Sequence, residues 1–276
     1  MGSLIKTMYA RRRGITGDKV WHLSVMPCFD KKLEASREDF AESGIRDVDC
    51  VITTAELIKM IEERGMDFMQ IPETQSLSEL ETRMTSHAGS SSGGYLHHLM
   101  TVSAQALFGL DVDLAEARGV QIRTVRNNDM VEYILEENGK VKLRMARCYG
   151  FRNIQNLVRK LEGKGPKVVK KKPGKEDHGW DYVEVMACPS GCVNGGGQLP
   201  TANNAVKTYT PKEWVQHVEE TYQTQVVELP SEERVDALYR EWFGDQLEKG
   251  RKRCIETRYR GVEFTVANPL LLGSRW

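Results

Sequence analysis

The residues YVEVM at Tyr182–Met186 run directly into Cys188-Pro189-Ser190-Gly191-Cys192, and this junction constrains the chain more than any other stretch. The first part is rich in β-branched and aromatic side chains and is predicted as a strand. Pro189 and Gly191 then force a tight turn, so the sulfurs of Cys188 and Cys192 can face one point. Gly195, Gly196 and Gly197 follow; they let backbone approach a bulky group and offer it amide donors. A second strand is predicted over residues 20–26, where Trp21, Leu23 and Val25 alternate with His22 and Ser24. It stops at Pro27, just before Cys28. Both cysteine loops therefore lie past the C-terminal ends of predicted strands, the edge at which open parallel α/β sheets bind ligands.

Between these loops, residues 47–52 form a short apolar run predicted as a buried strand, and a helix starts at Thr53. Thr53 and Glu56 have capping-box spacing, Leu57, Ile58 and Ile61 supply an apolar face, and Gly65 ends the helix. A strand passing at once into a helix is the βα unit of a parallel sheet. Residues 88–94 (AGSSSGG) read as a flexible loop and 95–108 as a helix. Residues 130–148 read as a hairpin around Asn138-Gly139, and 153–161 as a helix bearing Ile154, Leu157, Val158 and Leu161. A lysine-rich loop covers 164–175. Thr210, Pro211 and Glu213 mark a later helix start, and Ser231 is expected to cap a helix carrying Val235, Leu238, Tyr239 and Trp242. The expected fold is α/β, a parallel-containing sheet flanked by helices, with a helical C-terminal extension.

Lysine plus arginine and aspartate plus glutamate each number 39, so no net field draws the chain to nucleic acid or to anionic lipid. The lysine-rich loop has no interleaved aromatics and reads as a solvated loop. AGSSSGG lacks the Gly-Lys-Ser/Thr of a phosphate loop. No apolar run is long enough to span a bilayer, and Lys6 stands where a myristoylation signal needs Ser or Thr. The six cysteines are too scattered for a disulfide framework, so clustered thiols read as metal ligands and lone ones as core residues. On that sorting Cys50, Cys148 and Cys254 are structural. So are His22, one of the adjacent pair His97 and His98, and, with a second role near the loop as the alternative, His178.

EVMACPSGCVNGGGQ, residues 184–198, resembles the third cluster-binding signature of iron-only hydrogenases, and MPCFDKK, residues 26–32, resembles the second. VDCVITTAELIKMIEERG and ARCYGFRNIQNLVRKL are similar to other parts of the hydrogenase catalytic domain. MPCFDKKLEASREDF, HAGSSSGGYLHHL and the terminal Trp276 resemble the branch of hydrogenase-like assembly factors of the cytosolic iron–sulfur pathway. The resemblance implies an iron-only-hydrogenase large-subunit-like domain over 1–209 and an extension over 210–276 like the hydrogenase small-subunit region. It implies that Cys28, Cys188 and Cys192 are three ligands of a 4Fe–4S cubane, with the fourth upstream of this sequence, in a longer protein. Lys31 matches a lysine contacting a diatomic ligand of the hydrogenase two-iron unit, and Met186 a methionine lining that pocket. Phe29 and Asp30 stand where hydrogenases carry small residues, which points away from hydrogen chemistry.

The implied function is non-enzymatic: cluster carriage and delivery to cytosolic and nuclear apoproteins. The implied partners are those clients and a targeting complex that includes a WD-repeat propeller, read through Trp276. The implied location is cytoplasmic and also nuclear. Two alternatives stand beside it, an iron-only hydrogenase catalytic domain and a zinc-stabilised interaction module. Zinc sites normally pair two C-x₂₋₄-C units, and only one such pair is present.

Overall fold

The computed structural model describes residues 1–42, 44–72, 88–92, 94–162, 179–201, 208–225 and 232–256. The chain falls into two compact units, residues 1–57 with 230–276, and residues 58–229.

In the first unit, α1 (Gly2–Leu4) and α2 (Ala10–Arg12) are joined by a π-helical turn, Ile5–Tyr9. β1 (Leu23–Met26) leads through Cys28 into α3 (Asp30–Ser36), then into a short antiparallel ribbon of β2 (Ala41–Glu42) and β3 (Ile45–Arg46). β4 (Cys50–Thr53) pairs with β1 in parallel, Leu23 opposite Cys50 and Met26 opposite Thr53. β1 is shorter than the alternation predicts because polar groups take its first residues. The Lys6 ammonium binds the Val20 carbonyl, and the His22 carbonyl accepts the N–H groups of Asp49 at 3.0 Å and Cys50 at 3.2 Å. Lys6 is buried and pairs with Asp49 at 2.6 Å.

α4 (Thr54–Glu63) opens on the predicted capping box: Glu56 accepts the Thr53 N–H at 2.7 Å and Thr53 Oγ1 accepts the Glu56 N–H at 3.2 Å. The unit also holds α8 (Glu232–Phe243) and α9 (Leu247–Cys254). Arg12 forks onto Glu241 at 2.7 and 2.6 Å, and Trp242 Nε1 donates to Thr7 Oγ1 at 2.8 Å.

The second unit is built on a sheet of order β5-β6-β7-β8: β5 (Val120–Thr124), β6 (Met130–Glu137), β7 (Lys140–Tyr149) and β8 (Tyr182–Met186). β5, β6 and β7 are antiparallel neighbours, while β8 joins β7 in parallel, Cys148 opposite Val185. Asn138 and Gly139 turn the hairpin with φ of 52° and 75°, the paired positive values a tight two-residue hairpin needs. α5 (Tyr95–Phe108) packs Leu96, Met100 and Ala104 against Val120, Leu135, Leu143 and Met145. α6 (Phe151–Leu161) presents Leu157 and Ile154 to a second core cluster with Met130, Ala146 and Cys148. Leu143 and Met145 thus belong to one core and Ala146 and Cys148 to the other. This two-core packing is the α/β arrangement expected from the sequence. α7 (Pro211–Gln225) starts at the predicted box, Glu213 accepting the Thr210 N–H at 2.8 Å.

Trp276, His178, Ser231 and the lysine-rich 164–175 segment lie outside the described residues. Among the described residues, no helix is long and apolar enough to cross a membrane.

Candidate metal centre

β8 ends at Met186 and delivers the chain into the cysteine turn. The Gly191 N–H donates to the Cys188 carbonyl at 3.2 Å, with Ser190 at φ 61° and Gly191 at φ 84°, ψ −159°. The last conformation is open in practice to glycine alone. The turn is pinned from outside. Asp129 Oδ1 accepts the Ser190 N–H at 2.7 Å, and Ser92 Oγ accepts the Cys192 N–H at 2.8 Å. A Cβ on Gly191 would lie 1.9 Å from Ser92 Oγ, so the serine hydroxyl occupies the space that any larger residue would fill. The Gly195 N–H donates back to the Cys192 carbonyl at 3.0 Å, and Asn194 Nδ2 to the Pro189 carbonyl at 3.1 Å.

Behind the turn, carboxylates hold Ser91 and the start of α5. Glu184, 4% exposed, accepts the Tyr149 hydroxyl at 2.6 Å and the Leu96 N–H at the start of α5 at 2.8 Å. Burial, and then the bond to Glu184, push the Tyr149 phenol far above its usual range. Ser90 Oγ lies 3.4 Å from the Tyr149 hydroxyl. Glu219 of α7 accepts the Ser91 N–H at 3.0 Å and also the Ser91 hydroxyl. Burial works against the Glu219 charge, yet hydrogen bonds from Ser91 and Gln223 outweigh it and hold its pKa below the usual carboxylate value. A cavity of about 700 Å³ lies here, lined among others by Ser90, Asp129, Arg147, Tyr149, Ser190 and Glu219.

Cys28 belongs to the first unit, two residues past the end of β1 and half-buried. Phe29 caps α3 and is 52% exposed. The Lys31 ammonium pairs with Glu34, and Lys32 reaches both Glu56 oxygens at 2.7 and 2.8 Å.

Of the residues singled out from sequence, the structure brings Cys188 and Cys192 onto one turn and sets Cys28 at the end of β1. Among the described residues, no group of three His, Cys, Asp or Glu side chains could hold a metal ion. The donors on the turn are both thiols, half-buried, with buried Gly195 and Gly197 beside them. That chemistry fits two positions of an iron–sulfur cluster. Cys148 is fully buried in a core cluster, and burial raises its thiol pKa. Cys50 sits in β4 and Cys254 in α9. His22 is structural, its Nδ1 lying 2.8 Å from the Asp47 carbonyl oxygen. Sequence reasoning missed Ser92, Asp129, Glu184 and Glu219. Only Glu184 carried a signal, a charge at the centre of an otherwise apolar strand.

The family of the iron only hydrogenase large subunit, C-terminal domain, matches residues 1–196. The chain is 42% identical over 275 residues to a cytosolic Fe-S cluster assembly factor, narfl, of Danio rerio, covering 96% of this chain and 61% of that protein. It is 43% identical over 284 residues to cytosolic iron-sulfur assembly component 3 of Bos taurus, covering 100% of this chain and 54% of that protein. It is 39% identical over 301 residues to the cytosolic Fe-S cluster assembly factor NAR1 homolog of Schizosaccharomyces japonicus, 57% of whose length is covered. The chain thus spans between 54% and 61% of these three relatives. Among solved structures it shares a fold with an apo FeFe-hydrogenase of Chlamydomonas reinhardtii, with a TM-score of 0.65 at 22% identity, 94% of this chain and 67% of that one covered. The fold and the match over residues 1–196 agree, and the chain belongs to the iron-only hydrogenase large subunit, C-terminal domain, family.

Proposed function

We propose that this chain is part of a cytosolic iron–sulfur assembly factor that carries a 4Fe–4S cluster and helps deliver clusters to cytosolic and nuclear apoproteins. The observation that carries the reading is the Cys188–Cys192 turn, two half-buried thiols on a glycine-bearing loop fixed by Ser92 and Asp129. Cys188, Cys192 and Cys28 are the proposed ligands, with a fourth from sequence outside this chain. Bound there, the cluster supplies one-electron redox chemistry and an iron–sulfide core that other thiolates can accept. The protein's own part is to hold the two sulfurs at a fixed separation and to keep the turn from relaxing when the ligands exchange.

The relatives' names support the assembly role. A non-enzymatic role is supported at Lys31. In the family resemblance this lysine serves the two-iron unit, whereas here its ammonium is paired with Glu34, and bulky Phe29 follows Cys28 directly. The proposed partner is a targeting complex containing a WD-repeat propeller, engaged through the ring and free carboxylate of Trp276.

Anaerobic reconstitution of the full-length protein, with iron and sulfide counted and electron paramagnetic resonance recorded, tests the reading. The expected result is a cluster that is lost in Cys188→Ala and Cys192→Ala and that restores activity to an apoprotein needing a 4Fe–4S cluster. Zinc in place of iron, or hydrogen evolution with a strong reductant, overturns it.

A further inference from the structure

We propose that Glu219 is a positioning residue for this site: its grip on Ser91 holds the Cys192 end of the cysteine turn, and the strength of that grip sets how fast a bound cluster is given up. The proposal deepens the iron–sulfur reading of the turn and rests on it.

The two ends of the turn are held by different parts of the protein. Toward Cys188, the Ser190 N–H is taken by Asp129 Oδ1. The Asp129 carbonyl in turn accepts the N–H of Tyr149, the last residue of β7, at 2.8 Å, so this pin belongs to the sheet. At the other end, the Cys192 N–H is taken by Ser92 Oγ at 2.8 Å, and Ser92 lies on a loop outside the sheet. Ser90 Oγ in that loop is 3.4 Å from the Tyr149 hydroxyl, longer than an ordinary bond between hydroxyls. The tie next to Ser92 is Ser91, which gives both its backbone N–H and its hydroxyl to the Glu219 carboxylate. Cys192 is therefore linked to α7 through Ser92, one peptide bond and Ser91.

α7 meets this loop across a cavity, not through a core. Lys212, Val215, Gln216, Glu219, Glu220 and Gln223 recur at three- and four-residue steps and form one face of the helix. That face lines the cavity of about 700 Å³, whose other side carries Ser90, Tyr149 and Ser190. Among the described residues, none in α7 is fully buried and none joins either core cluster. Elements with few buried apolar contacts open at low free energy. A carboxylate holding at one point suits such an element, because water can take its place when the helix lifts. Lifting α7 would free the Cys192 end while the sheet still pins the Cys188 end. The family match ends at residue 196 and α7 begins at Pro211, so the grip reaches the turn from outside the matched domain.

The test uses the full-length protein, reconstituted anaerobically, with iron and sulfide counted first. Absence of a cluster in the unsubstituted protein defeats the iron–sulfur reading, while the metal-free protein still decides the role of Glu219. There, iodoacetamide followed by peptide mass spectrometry reads Cys188, Cys192 and Cys148 separately. Glu219→Ala should raise the rate at Cys192 several-fold and leave Cys188 and Cys148 near their parent rates. Gly139→Ala, at the hairpin turn, weakens the same unit away from the site and should leave the ratio of Cys192 to Cys188 unchanged. In the loaded protein, Glu219→Ala should speed chelator extraction of iron about tenfold. Ser91→Ala, which keeps the backbone bond to Glu219, should speed it less, and should add nothing once Glu219→Ala is present. An unchanged ratio of Cys192 to Cys188 in Glu219→Ala overturns the proposal, even if iron leaves faster, since a general loss of stability does that too. Should Glu219→Ala not fold, Glu219→Gln, with one acceptor oxygen in place of two, decides by the same ratio: a rise supports the proposal and no change overturns it.

Discussion

The carboxylate of Glu219 accepts both polar protons of Ser91, the backbone N–H at 3.0 Å and the hydroxyl, and so ties α7 to the loop whose next residue holds Cys192. Hydrogen bonds to a charged group are worth about 1.5–3 kcal/mol each, less where water competes. Glu219→Ala should therefore cost about 1–2 kcal/mol in chemical denaturation. The pH dependence has a definite sign. The native pKa lies below the unfolded one, so the stabilisation is complete above the unfolded value and fades as pH falls through the depressed native value. Stability curves of the parent and Glu219→Gln should converge in acid; parallel curves at all pH values would exclude this role.

A larger effect is expected at Glu132. It is 2% exposed and accepts from Arg144 at 3.1 and 3.2 Å and from Trp180 Nε1 at 2.8 Å, with Arg123 closing the cluster. Removing this buried carboxylate strips Arg144 and Arg123 of a charged acceptor that both use. Breaking buried pairs of this kind typically costs about 3–5 kcal/mol. Glu132→Ala should show a loss of that order in urea, and Glu132→Gln, which still accepts hydrogen bonds, a smaller one. Equal losses would mean that shape rather than charge matters at this position.

The elements that the sequence announces most clearly are those with local causes. The α4 and α7 capping boxes, the Asn138-Gly139 hairpin and α5 each need only neighbouring residues to form, and each is found as expected. The first three residues of the expected strand at 20–26 are lost to Lys6 and Asp49, partners 14 residues away from Val20 and 27 away from His22. The candidate site divides in the same way. Cys188 and Cys192 are legible because the turn between them is local. Ser92 was not, because it meets Cys192 across 100 residues of sequence. A run of three serines between glycines looks like a solvated loop until the carboxylates that hold it are placed.

Two glycines separate backbone strain from steric overlap. At Gly139, φ is 75° and a Cβ would meet nothing within 4 Å, so Gly139→Ala should cost about 1 kcal/mol, from backbone conformation alone. At Gly191, φ is 84° and the Cβ would run into Ser92 Oγ. Strain in that region is about 1–3 kcal/mol, and the clash adds to it. Gly191→Ala should therefore lose the cluster while the sheet of β5 to β8 stays folded, as read by iron content against circular dichroism. Normal iron content in Gly191→Ala would show that the turn can open without cost to the ligands.

Alkylation should sort the cysteines by their place in the fold. Cys148 is fully buried between β7 and α6, and burial holds its thiol in the unreactive protonated form. Cys188 is half-buried on a surface turn. In the metal-free protein under native conditions, iodoacetamide followed by peptide mass spectrometry should therefore mark Cys188 well before Cys148. Cys254 should lag as well, since burial outweighs the neighbouring Arg253 and raises its pKa. Loading iron and sulfide should then protect Cys188 and Cys192 together, because ligation consumes the thiolate needed for attack, and leave the slow rate at Cys148 unchanged. If Cys28 becomes protected in the same step, it shares the group with the turn. If it stays as reactive as before, Cys28 is not a ligand, and the cluster draws its other donors from outside this chain.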